Sequence, residues 1–117
     1  MIELKNQIST VLISEMGAEL HSFVSGGREY IWQRNPDIWN NSSPILFPVC
    51  GSLRDDEIII NGKNYSLPKH GFAKISLFEV EYADDTSVTF LLKSSAETKE
   101  VYPYDFEFRV IYTLLGK

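Results

Sequence analysis

The residue best suited to proton chemistry is His70, in the stretch SLPKHGFAK at 66 to 74. It is one of only two histidines in the chain. An imidazole gives or takes a proton near neutral pH, and a histidine followed by Gly71 and Phe72 can sit in a tight turn with its ring open to a ligand. The same residue types suit a hydrogen-bonded structural histidine, and from them alone both roles stand. Arg54, in CGSLRDDE, offers forked donors that fit sugar hydroxyls or carboxylates. It could equally pair with Asp55 or Asp56 in a solvated turn. His21 alternates with Leu20 and Ser22 and reads as a strand residue. Cys50, the only cysteine, reads as a small buried apolar group and excludes an intrachain disulfide.

Several chemistries find no support. The acidic run Asp55, Asp56 and Glu57 lacks an oxygen-rich calcium loop or a partner histidine motif, so no metal is expected. There is no phosphate-cradling glycine loop and no Gly-x-Ser-x-Gly, and no cofactor is expected. A net charge of −5 repels phosphate backbones, which argues against nucleic acid. Tyr30, Trp32, Trp39, Phe47 and Phe72 could stack on the apolar face of a sugar or fill a core. Asn40 and Asn41 could bond hydroxyls or shape a turn.

At 117 residues, 44% hydrophobic and 23% charged, the chain is expected to form one globular domain. No stretch reaches the roughly 18 apolar residues of a membrane span. MIELKNQIST has no apolar run behind positive charge, so no signal peptide and a cytoplasmic location are expected.

The elements that would position these residues are strands. STVLISEMGAELHSFVSGG reads as two strands around Gly17, with Leu20, Phe23 and Val24 toward the core. REYIW reads as another strand, followed by a polar loop, and ILFPVCG as a strand leading to Arg54. EIIINGKNYSL is a hairpin turning at Asn61-Gly62. ISLFEVEYADDTSVTFLLKSS is a second pair turning at Asp84-Asp85. In YDFEFRVIYTLL, Phe106, Phe108, Val110 and Tyr112 share one face, opposite Glu107 and Arg109. A single helical turn fits 96 to 100. The sum is roughly eight or nine antiparallel strands, an all-β sandwich or part of one. Gly116-Lys117 reads as the start of a turn. The strand before it would leave an unpaired edge, which proteins usually cover. Something after Lys117, a second copy or a complementary chain is expected to cover it.

Three stretches, taken in order, resemble the aldose 1-epimerase (galactose mutarotase-like) family, in particular its LacX-like branch. They are GAELHSF at 17 to 23, EYIWQRNPDIWNNSSPILFPVCGSLRDDEIIINGKNYSLPKHGFAK at 29 to 74, and YPYDFEFRVIYTL at 102 to 114. The resemblance implies that residues 1 to 117 form the N-terminal part of a large antiparallel β-supersandwich with a carbohydrate cleft. It also implies interconversion of the α and β anomers of an aldohexose or derivative, by a base at the anomeric hydroxyl and a histidine acid at the ring oxygen, with no cofactor. His70 falls on the family's first pocket histidine, which orients the sugar, and Arg54 lies near its sugar-binding arginine. Lys74 departs from the arginine that many relatives carry there, which bears on pocket charge or on a structural contact. The family's acid and base come from later strands, and neither has a counterpart here. No catalytic residue is therefore assigned, and the 117-residue chain by itself is expected to bind sugar weakly and not to catalyse. A carbohydrate-binding module without catalysis and a β interaction domain are the alternative readings.

Overall fold

The computed structural model describes residues 1–116, and the expected turn at Lys117 lies outside them. The described residues form three antiparallel sheets. The first has the order β1-β2-β3-β4, from β1 (Ile2–Lys5), β2 (Ser9–Ser14), β3 (Glu19–Ser25) and β4 (Arg28–Glu29). The second is the hairpin of β5 (Glu57–Ile60) and β6 (Lys63–Ser66). The third has the order β7-β8-β9, from β7 (Glu79–Ala83), β8 (Ser87–Lys93) and β9 (Glu107–Thr113). A short helix, α1 (Ala96–Val101), joins β8 to β9. Among the described residues, no helix is long and apolar enough to cross a membrane.

Local chemistry accounts for the clearest elements. Asn61 and Gly62 both take positive φ (51° and 79°), as a two-residue type I′ turn demands, and the β5–β6 register follows directly from Ile60 opposite Lys63. At the β7–β8 turn, the Asp84 carboxylate accepts the N–H groups of Thr86 and Ser87 at 2.9 and 2.8 Å. α1 begins at Ser95, whose hydroxyl accepts the Thr98 N–H, while the Thr98 hydroxyl accepts the Ser95 N–H. That reciprocal cap satisfies donors that a helix start leaves open.

The first and third sheets share one core. Leu4, Val11 and Ile13 meet Val88, Phe90 and Leu92, with Leu67, Phe72, Ala73 and Phe78 completing the cluster. The Tyr112 hydroxyl ties the two sheets together by donating to the Ala18 carbonyl at 2.7 Å. Burial there pushes its pKa up. β9 buries and exposes alternate residues, with Phe108, Val110 and Tyr112 inward and Glu107 and Arg109 outward. This is the expected all-β antiparallel architecture.

Four local expectations are corrected. The fully buried positions of the first hairpin are Ile13 on β2 and Ala18 in the turn, with Val11 nearly so, rather than residues of β3. Leu20 and Phe23 pack against the core while only half-buried, and Val24 is not part of it. REYIW does not continue as a strand, because β4 stops at Glu29. The Glu29 carboxylate accepts the N–H groups of Phe23 and Ile31, each at 2.9 Å, and the Ser22 hydroxyl. It thus takes up donors that a ladder would have used. Burial raises the pKa of this carboxyl, but those hydrogen bonds outweigh it and hold the carboxyl below its ordinary value.

ILFPVCG is not a strand either, and pairs only through a single parallel bridge between Phe47 and Gly71. Pro44 and Pro48 have no N–H to give a ladder, and the Phe47–Pro48 peptide is cis. Cys50, expected to be buried, is exposed, because without a strand the alternation that would turn it inward is lost.

Candidate functional site

His70 occupies a turn that leaves β6, closed by the Gly71 N–H donating to the Pro68 carbonyl at 2.9 Å. Its φ of 66° lies in the left-handed region, where histidine is uncommon although enriched over most residues. Such a conformation costs on the order of 1 kcal/mol and persists only where surrounding contacts enforce it. Here Gly51 does so twice. The His70 N–H donates to the Gly51 carbonyl at 2.9 Å, and the Gly51 N–H donates to His70 Nδ1 at 2.8 Å. A backbone N–H can only donate, so Nδ1 is the bare nitrogen of the neutral ring and Nε2 carries the hydrogen. The half-buried imidazole thereby presents a fixed donor.

Gly71 sets the depth of the turn. It has a φ of 71°, and a Cβ there would stand 2.1 Å from the Phe47 carbonyl oxygen. That same oxygen accepts the N–H groups of Phe72 and Ala73 at 2.9 and 3.2 Å. The Phe47 ring stacks on Phe108 with centroids 4.3 Å apart and meets Phe72 edge-on at 6.1 Å. The histidine turn is therefore bolted to the aromatic part of the core. Beyond it, a single 3-10 turn, Ala73–Ile75, carries Lys74. Gly17 packs beneath Lys74 so closely that a Cβ at 17 would stand 2.7 Å from the Lys74 carbonyl oxygen.

The other wall of the site is the long loop after β4. Glu19 at the start of β3 accepts the N–H groups of Ser42 and Ser43 at 2.7 and 3.0 Å. Arg34 donates to the His21 carbonyl and to the Ser42 hydroxyl, and the Trp32 indole N–H donates to the Trp39 carbonyl at 2.7 Å. These bonds hold Trp39, Asn41, Pro44 and Leu46 opposite Lys69, His70 and Lys74. The two walls enclose a cleft of about 400 Å³, within the range of small-molecule sites, roughly 300–1,000 Å³. A half-exposed indole, an amide and an imidazole N–H in one cleft can stack on an apolar face while bonding hydroxyls.

The structure sorts the remaining candidates. Phe47 and Phe72 belong to the core cluster and Trp39 to the cleft. Tyr30 lies beneath the Arg28 guanidinium at 5.2 Å. Asn41 lines the cleft and Asn40 does not. His21 lies on β3 with Nε2 3.4 Å from a Glu19 carboxylate oxygen. Arg54 opens a 3-10 turn, is exposed, and does not line the cleft with His70. Among the described residues its guanidinium forms no ion pair, with Asp55 and Asp56 included. Both of those aspartates instead take positive φ. Among the described residues, no three His, Cys, Asp or Glu side chains come together as a metal site would need.

Sequence reasoning missed Lys69, Pro44 and Leu46 as cleft residues, and Glu19, Arg34 and Ser42 as the anchors of its outer wall. The cleft draws on segments about thirty residues apart in sequence, and nothing local in either announces the other.

Comparison with known proteins agrees with the fold. The family model described as aldose 1-epimerase matches residues 1–117. The chain is 43% identical over 122 aligned residues to a chromosomal LacX protein of Lactococcus lactis subsp. lactis, covering 99% of this chain and 41% of that protein. Among solved structures, a galactose mutarotase related enzyme from Lactobacillus acidophilus superposes with a TM-score of 0.95 at 46% identity, covering 97% of this chain and 39% of that one. A galactose mutarotase-like protein from Lactobacillus casei superposes equally well, with a TM-score of 0.95 at 36% identity, over 99% of this chain and 40% of that one. This chain therefore spans about 41% of the length of the curated relatives it matches. It belongs to the aldose 1-epimerase family.

Proposed function

We propose that the His70 cleft binds an aldohexose or a derivative of one, and that the whole protein interconverts its α and β anomers. The observation that carries this reading is the fixed tautomer of His70. With Nδ1 engaged by Gly51, Nε2–H is a preset donor in a cleft, and such a donor can hold a sugar hydroxyl without reorganising. Trp39 would cover the apolar face of the ring, and Asn41 would bond a further hydroxyl. Arg54, free of carboxylate partners among the described residues, is proposed as a second sugar contact outside the cleft wall. Residues 1–117 would form the N-terminal part of the sandwich domain and place the sugar. The acid and base for ring opening would come from elsewhere in the whole protein, because among the described residues this cleft holds one histidine and no carboxylate. β9 is an edge strand, and a further strand, from this protein or a second chain, is proposed to pair there. The proposed setting is the cytoplasm.

The test is magnetisation-exchange NMR between the α and β anomers of glucose and of galactose, using protein made from the whole gene. Exchange above the buffer rate is expected, falling about 100-fold in His70→Ala as orientation and proton positioning are lost. Wild-type exchange in that variant would remove His70 from the site. Saturable sugar binding with no exchange would favour a binding module over an enzyme.

A further inference from the structure

The charge lining the cleft is at odds with the charge of the chain. Acidic residues outnumber basic ones 16 to 11, yet among the described residues the only charged side chains lining the cleft are Lys69 and Lys74, on either side of His70 in sequence. Neither ammonium group has a carboxylate within ion-pairing distance among the described residues. By contrast, Lys99 pairs with Asp105, and Arg109 pairs with Glu81 and Glu107. The backbone that carries both lysines is held in place, and the Lys69 side chain is exposed. Lys69 sits inside the turn that Gly51 and Phe47 fix, and Lys74 is half-buried with its backbone against Gly17. Two cations without an ion-pair partner among the described residues, in one cleft with a preset imidazole donor, make a local anion site in an acidic molecule.

We propose that the cleft takes an aldose bearing an anionic group, a phosphate ester or a carboxylate, which Lys69 and Lys74 receive while His70 holds hydroxyls. This deepens the sugar-binding reading above and rests on it. A neutral hexose would leave both ammonium groups to water, whereas an anionic one exchanges that water for charge-assisted hydrogen bonds. A partly exposed pair of this kind is worth up to roughly fivefold in affinity per lysine at low salt, and the gain shrinks as salt screens it.

The experiment is a calorimetric titration of the whole-gene protein with glucose, glucose 6-phosphate and glucuronate at low and high salt. It is repeated on Lys69→Gln, Lys74→Gln and the double variant, with melting curves to confirm that each is folded. At least one anionic sugar is expected to bind roughly tenfold more tightly than glucose. Each substitution should lower that preference, read as the ratio of anionic-sugar to glucose affinity in the same variant, and high salt should erode it. A preference for the phosphate ester over glucuronate identifies a phosphate as the source of the charge, and the reverse order identifies a carboxylate. Glucose binding as tightly as both derivatives, or a preference that survives in the double variant, overturns the proposal and leaves the sugar-binding reading standing. Failure of all three sugars to bind overturns both.

Discussion

Replacing Gly71 with alanine is expected to destabilise the protein by about 4 kcal/mol or more, enough to unfold many domains of this size. Two costs combine. The residue must hold a φ of 71°, where an L side chain loses on the order of 1 kcal/mol. Its new Cβ would also stand 2.1 Å from the Phe47 carbonyl oxygen and 2.7 Å from Pro48 Cδ. Neither atom belongs to a flexible side chain that could swing aside. Gly62→Ala supplies the control, since Gly62 has a similar φ of 79° but open space where a Cβ would lie. It should cost only about 1 kcal/mol. Urea unfolding of the two variants checks this, and equal losses would show that the close approach at Gly71 does not matter.

Phe47→Ala is expected to cost about 3 kcal/mol, at the lower end of the range for removing a core phenylalanine. The ring stacks on Phe108 and touches Phe72, Tyr102 and Phe106, and these neighbours, from the 102–108 stretch and the turn at Phe72, would have to move toward each other to fill the space. The backbone carbonyl of Phe47 that holds the histidine turn would remain. Phe47→Leu should therefore recover much of the stability and keep the His70 tautomer. Chemical denaturation measures the first effect. If Phe47→Ala loses less than about 1 kcal/mol, the aromatic cluster is not what anchors the cleft.

How far the sequence discloses this architecture depends on the range of the interactions involved. The Asn61-Gly62 hairpin, the Asp84 turn and the alternation of β9 are legible because each is decided within a few residues. The stretch from Ile45 to Gly51 is apolar enough to suggest a strand, yet Pro44 before it, Pro48 within it and its approach to Gly71 make it an irregular support, with Cys50 turned outward. REYIW fails for a similar reason, since one side chain, Glu29, diverts the hydrogen bonds of the ladder.

At the site, His70 stands out for its turn context and its resemblance to a pocket histidine. What the residue types do not reveal is that Gly51 would fix its ring, or that Trp39 and Phe47, alike in sequence character, would divide between cleft and core. Those outcomes depend on the Glu19 anchor and on Gly71, which act across the fold.

The most direct measurement is the ¹⁵N spectrum of the His70 imidazole in the whole-gene protein, recorded with and without an aldose or aldose phosphate. The predicted result is a bare Nδ1 and a protonated Nε2 in the neutral ring, with the Nε2 resonance moving saturably as sugar is added. A ring protonated at Nδ1, or a resonance that ignores every sugar while the protein remains folded, would contradict the account.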